Sequence, residues 1–168
     1  MHIRSMARCA LFAALMCICA WLSIPTPAGV ISLQTFGLFL TLNVLGGKRG
    51  SLVCLLYLLL GGVGLPVFTG FRGGIGVLFG PTGGYIGGFL AGALVYWLLT
   101  ALKFRPLPAM VCALLMCYLC GTVWYKVLFP AIGLWAIGLT CVVPYLIPDG
   151  LKLFLALMLS KKLKRYLS

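Results

Sequence analysis

Six apolar segments follow one another along this chain, at about residues 7–24, 31–47, 51–64, 82–101, 109–128 and 141–160, and charge is held almost wholly between them. Roughly 20 apolar residues, rising about 1.5 Å each, cross the ~30 Å hydrocarbon core of a bilayer as a helix. Several of the segments stand near the lower limit of that length. Inside lipid the backbone N–H and C=O groups find no water, so such a chain crosses as α-helices that satisfy them internally. The predicted fold is therefore all-α, a bundle of six transmembrane helices in a multi-pass membrane protein. Of the 168 residues, 63% are hydrophobic and 8% charged, against roughly 25% charged in a soluble domain. That is too little polarity to cover a water-facing surface. It excludes a soluble enzyme, a disordered chain and a secreted disulfide scaffold. The first segment, with Arg4 and Arg8 beside its start, has the pattern of a signal peptide. With five spans behind it, it reads as a retained first helix.

The bases set the orientation. Thirteen Lys and Arg stand against one acid, Asp149, for a formal net charge of +12. If all six segments span, then Arg4, Arg8, Lys48, Arg49, Lys103, Arg105, Lys161, Lys162, Lys164 and Arg165 fall on one side of the membrane. Arg72 and Lys126 fall on the other side, and Lys152 lies within the last segment. Cytoplasmic connections collect Lys and Arg, so both termini and the even-numbered connections are expected in the cytoplasm of a cell-membrane protein. Bases spaced between apolar runs make no basic face on a soluble fold, so nucleic acid is not an expected partner. The lipid bilayer is.

The eight cysteines include Cys117-Tyr118-Leu119-Cys120 and Cys17-Ile18-Cys19. A structural zinc site draws four ligands, often from two such knuckles. These cysteines lie in or beside apolar stretches, and the single histidine, His2, stands at the terminus. They read as small polarizable packing residues, with no metal and no cofactor expected.

The connection from Gly61 to Gly84 is apolar yet crowded with glycine and proline, which break helices and let backbones come close. It is expected to fold back on the bundle from the outer side, where it can cap a cavity. It carries no strand–G-x-G-x-x-G–helix pattern, and Gly47-Lys48 lacks the rest of a P-loop, so ATP binding by that route is not expected. Gly84, Gly88 and Gly92 recur every fourth residue, a small-residue face that admits a neighbouring helix. Ala10 and Ala14 form a weaker stripe on the first segment, open to packing in the bundle or against a partner.

The few polar residues within this apolar frame need a reason. Asp149 and Lys152 stand three apart in the sixth segment, on one face of a helix that Pro148 is expected to begin. A charge at membrane depth costs roughly 2.5–3.5 kcal/mol on insertion scales. The pair can simply neutralise itself near a helix amino terminus, or it can form a polar site facing an outward cavity. That the sole acid of the chain stands there favours the site. Arg72, in the glycine-rich connection, carries a guanidinium suited to a carboxylate. Gln34 can both donate and accept, Tyr85 offers a hydroxyl and an apolar ring, and Trp21 and Trp124 suit the interfacial aromatic belt.

These residues lie in stretches that resemble the BioY family of biotin transporters. The likeness is carried by Ser32-Leu33-Gln34-Thr35, Leu45-Gly46-Gly47-Lys48-Arg49-Gly50, Tyr57-Leu58-Leu59-Leu60-Gly61-Gly62 and Gly64-Leu65-Pro66-Val67-Phe68. It continues through Gly73-Gly74, Gly80-Pro81-Thr82-Gly83-Gly84-Tyr85 and Pro144-Tyr145, with the D-x-x-K of Asp149 and Lys152. The resemblance covers almost the whole chain. It implies a single six-helix domain over residues 1–168, the substrate-binding S component of an energy-coupling factor transporter, and not an enzyme. By that likeness the chain captures biotin from outside and works with a transmembrane coupling subunit and two ATPase subunits. Ala10 and Ala14 then belong to the partner-docking face.

The substrate site implied by the resemblance comprises Asp149, Lys152, Arg72, Gly73, Tyr85, Gln34 and Phe68. Its chemistry suits biotin. Asp149 can accept from a ureido N–H and Lys152 can donate to the ureido carbonyl. Val67, Phe68 and Tyr85 offer apolar walls, and Arg72 or the loop amides can meet the carboxylate. Some family members carry a base after Gly-Gly-Tyr; here the residue is Ile86, which turns attention to Arg72. Three alternatives remain. An S component for a different vitamin is disfavoured by the Asp149–Lys152 match. A small intramembrane enzyme would need nucleophile, base or metal ligands that are missing. A structural helical bundle leaves the charged pair unexplained.

Overall fold

The computed structural model describes residues 3–26 and 29–167; His2 lies outside them. In chain order the elements are α1 (Ile3–Trp21), β1 (Ser23–Thr26), β2 (Gly29–Ser32), α2 (Gln34–Leu45), α3 (Gly47–Gly62), α4 (Ile75–Leu78), α5 (Gly83–Ala101), α6 (Pro106–Leu128), α7 (Leu134–Cys141) and α8 (Val143–Leu167). Among the described residues four helices are long and apolar enough to cross a membrane: Ile3–Trp21, Gly83–Ala101, Pro106–Leu128 and Val143–Arg165.

The stretch expected as a span at 31–47 is helical over Gln34–Leu45, and a short hairpin leads into it. Ile24, Val30 and Ile31 favour extended backbone, and β1 pairs antiparallel with β2, Ile24 opposite Ile31 and Pro25 opposite Val30. The fold is helical as expected, with one short hairpin added ahead of α2. Helix begins only at Gln34 and ends at Leu45, where Gly46 turns the chain at φ 80°, a conformation that costs glycine little. The 12 residues of α2 rise about 18 Å. Because α3 starts at once, Lys48 and Arg49 sit in its first turn rather than in a connection.

Short as it is, α2 is the centre of the bundle. Gly37 through Asn43 are all buried, as befits a helix apolar on every side. Leu38, Phe39 and Leu42 join Met16 of α1, Tyr57 of α3, Phe89 of α5, Met110 of α6 and Ala156 of α8 in one core. The most extensive helix pair is α5 with α6. Gly84, Gly88 and Gly92 face α6: a Cβ on Gly92 would stand 2.6 Å from the Ala113 carbonyl oxygen, and one on Gly88 3.0 Å from the Cys117 Cα. On α1, by contrast, Ala10 and Ala14 lie exposed.

Pro148 does not begin the last helix, as the sequence led us to expect, but lies inside it. An interior proline forgoes one backbone hydrogen bond, which helices in a packed bundle tolerate because neighbouring groups compensate. Asp149 consequently stands in the second turn of α8, with helix on both sides.

The glycine-rich connection folds back onto the bundle. Near its start Trp21 Nε1 donates to the Pro66 carbonyl at 2.7 Å, and the indole stacks on Phe71 at 5.1 Å. Near its end Trp124 Nε1 donates to the Gly80 carbonyl at 3.0 Å. Between them Tyr57 donates to the Val67 carbonyl at 2.9 Å. Phe68 is 1% exposed and its ring occupies the space that a side chain at Gly61 would need.

Candidate substrate-binding site

A cavity of about 830 Å³ is lined by the hairpin, the glycine-rich connection and residues of α2, α5, α6, α7 and α8, a volume typical of small-molecule sites. Apolar surface comes from Phe68, Val77, Ile86, Phe89 and Leu114. Against these walls stands a compact polar cluster built from three helices. Asp149 of α8 accepts at Oδ1 from Lys152 Nζ at 2.7 Å and from Thr35 Oγ1 of α2 at 2.8 Å. Its Oδ2 accepts from the Tyr118 hydroxyl of α6 at 2.8 Å. Asp149 and Lys152 are only 3% and 7% exposed, so the ion pair is sequestered from solvent while both residues line the cavity.

A second cluster ties the cavity wall to the connection. Gln34 Nε2 donates to the Tyr57 hydroxyl at 2.5 Å, and Gln34 Oε1 accepts from Thr69 Oγ1 at 3.0 Å. Gln34 thus donates and accepts in the same place, joining α2, α3 and the connection. Tyr85 lies over Gly121, where a Cβ would stand 2.3 Å from its ring, and its hydroxyl donates to the Cys141 carbonyl at 3.0 Å at the end of α7.

Of the residues expected at the site, Asp149, Lys152, Arg72, Tyr85, Gln34 and Phe68 all line the cavity. Gly73 does not. A Cβ there would meet the Leu65 carbonyl oxygen at 2.1 Å, so its part is to let the connection close on itself. Val67 is buried but lies outside the lining. Arg72 is exposed at the cavity and among the described residues has no ion-pair partner. With Lys152 and Asp149 it makes up the charged lining, which carries one net positive charge.

Thr35 and Tyr118 were not expected at the site. Thr35 stands beside Gln34 in a stretch already of interest, and Tyr118 is a phenol in mid-span. A buried tyrosine hydroxyl normally finds a partner, and that was the available signal.

The sequence model of the BioY family matches residues 1–168. The chain belongs to the BioY family. It is 48% identical over 100 residues to the biotin transporter BioY of Thermotoga maritima, a match covering 60% of this chain and 59% of that protein. To the biotin transporter BioY2 of Lactococcus lactis it is 40% identical over 126 residues, covering 73% and 69%. To the probable biotin transporter BioY of Pyrococcus horikoshii it is 35% identical over 164 residues, 98% of each chain. The fold agrees. A crystal structure of the S-component for biotin from an ECF-type ABC transporter superposes with a TM-score of 0.86 and 26% identity, covering 97% of this BioY-family chain and 92% of that one.

Proposed function

We propose that this chain is the biotin-binding S component of an energy-coupling factor transporter. It is a transporter subunit, not an enzyme. The observation that carries the proposal is the charge arrangement of the cavity. A buried Asp149–Lys152 pair offers an acceptor beside a donor, and an unpaired guanidinium, Arg72, stands on the same wall system. A cyclic urea needs the first feature and a carboxylate the second. Biotin has both, and its single negative charge complements the cavity's net positive one. In this arrangement Asp149 and Lys152 hold the ureido ring, Phe68 and Tyr85 flank the apolar part, and Arg72 meets the carboxylate. Gln34 and Gly73 shape the connection that covers it.

The chain forms one domain that crosses the cell membrane six times, α2 making its passage together with the β2 strand that leads into it and α1, α3, α5, α6 and α8 making the others, with both termini in the cytoplasm. The placement of the bases supports this orientation. The apolar face of α1 that carries Ala10 and Ala14 is the surface offered to a transmembrane coupling subunit, and two ATPase subunits supply the energy that this chain, lacking a P-loop, does not. Titrating the purified protein with biotin, thiamine and riboflavin tests the assignment. One saturable site for biotin alone is expected; equal response to all three, or to none, overturns it.

A further inference from the structure

We propose that Thr35 and Tyr118 are positioning residues that fix the acceptor geometry of Asp149, and that Tyr118 thereby selects a urea over a guanidinium as the ring the cavity takes. This rests on the assignment of Asp149 and Lys152 as the pair that meets the ligand ring.

An ionised carboxylate has about four acceptor positions and an ammonium three N–H donors. On Oδ1 both positions are taken, by Thr35 at 2.8 Å and Lys152 at 2.7 Å. On Oδ2 one is taken, by Tyr118 at 2.8 Å. One acceptor position is left, on Oδ2. Lys152 uses one donor on Asp149 and keeps the others. The pair therefore presents a single acceptor next to a donor, which matches the N–H and C=O of a cyclic urea. It does not match a guanidinium, which offers donors only and is repelled by the ammonium.

The donors come from α2, α6 and α8, so the carboxylate plane is pinned from three directions. Lys152 alone would suffice to neutralise Asp149. The two hydroxyls do something further, since they consume acceptor positions that a donor-rich ligand would use. Without the Tyr118 hydroxyl, Oδ2 regains a second position, and two N–H groups of a donor-rich ligand can both meet that one oxygen. Discrimination of this kind works by withholding partners from the wrong ligand.

The experiment compares biotin with 2-iminobiotin in its guanidinium form, by equilibrium competition on the purified chain and its Tyr118→Phe, Thr35→Val, Thr35→Ser and Asp149→Asn variants, each checked for fold by its melting temperature. Tyr118→Phe is expected to lose roughly tenfold in biotin affinity with no loss for 2-iminobiotin, so that the preference moves at least about tenfold toward the guanidinium. Thr35→Val should weaken biotin to a similar degree and Thr35→Ser should restore it. Equal weakening of both ligands by Tyr118→Phe would reduce the hydroxyl to a structural role and overturn the proposal. So would unchanged affinities in Tyr118→Phe while Asp149→Asn loses biotin. If Asp149→Asn itself keeps the parent affinity, the ring site is misassigned and the proposal falls with it.

Discussion

The buried Asp149–Lys152 pair predicts an asymmetric response to removal of either partner. The two groups meet at 2.7 Å and are almost wholly excluded from solvent. Removing one member of such a pair costs about 3–5 kcal/mol, because the other charge is left uncompensated. The two single variants should differ within that range. In Lys152→Met the carboxylate keeps the Thr35 and Tyr118 hydroxyls, which places the loss near ~3 kcal/mol. In Asp149→Asn the ammonium keeps no charged partner among the described residues, which places the loss near ~5 kcal/mol. The double variant carries no buried charge and should return to within about 1–2 kcal/mol of the parent, giving a coupling of roughly 6–7 kcal/mol. For a chain of this size each 1 kcal/mol moves the melting temperature by roughly 2–4 °C, so Lys152→Met should fall by about 6–12 °C and Asp149→Asn by about 10–20 °C. Thermal unfolding of the four detergent-purified proteins, without biotin, gives the cycle. Single variants that melt with the parent, or a double variant no more stable than the worse single one, would refute the account of a sequestered, coupled pair.

Three further outcomes follow from the same geometry. In Gly92→Ala the new Cβ must retreat from the Ala113 carbonyl, 2.6 Å away, and such overpacking costs about 1–3 kcal/mol. Its melting temperature and biotin affinity should both fall, whereas Gly87→Ala, which meets open space, should keep both. Arg72→Gln should weaken biotin by roughly tenfold while leaving the methyl ester of biotin unaffected, since the charge-assisted contact is to the carboxylate; equal loss for both ligands would remove Arg72 from that role. Trp21→Phe keeps a ring against Phe71 but gives up the hydrogen bond to the Pro66 carbonyl, worth about 1 kcal/mol. Stopped-flow dissociation of biotin should then quicken several-fold, and an unchanged rate would show that this anchor does not restrain the connection.

Most of the helices were legible because an apolar run is a sufficient signal for a helix in lipid. The hairpin and the length of α2 were not. Between residues 22 and 33 the deciding terms are the local preference of Ile24, Val30 and Ile31 for extended backbone and the pairing of two strands. Hydropathy is blind to both. The end of α2 turns on one residue, Gly46, whose positive φ redirects the chain so sharply that Lys48 and Arg49 fall in the first turn of α3 rather than in a connection. Pro148 misled for a related reason, since the proline rule describes where helices prefer to start, and packing in a bundle overrides it.

At the site, Asp149, Lys152 and Arg72 stood out because charge is scarce in this chain. Gln34 stood out as a polar residue early in an apolar segment. Thr35 and Tyr118 escaped because a threonine or tyrosine carries no such contrast, and their roles arise from α2, α6 and α8 meeting at one carboxylate. That meeting is tertiary. Gly73 was legible as important but for another reason, a backbone approach to Leu65 rather than a place on the cavity wall.

The most direct test of the central claim is equilibrium binding of biotin to the purified chain alongside Asp149→Asn and Lys152→Ala. Saturable one-to-one binding by the parent, with loss in both variants out of proportion to any fall in folded protein, is the predicted result. A well-folded parent that binds no biotin, or variants that bind as the parent does, would contradict it.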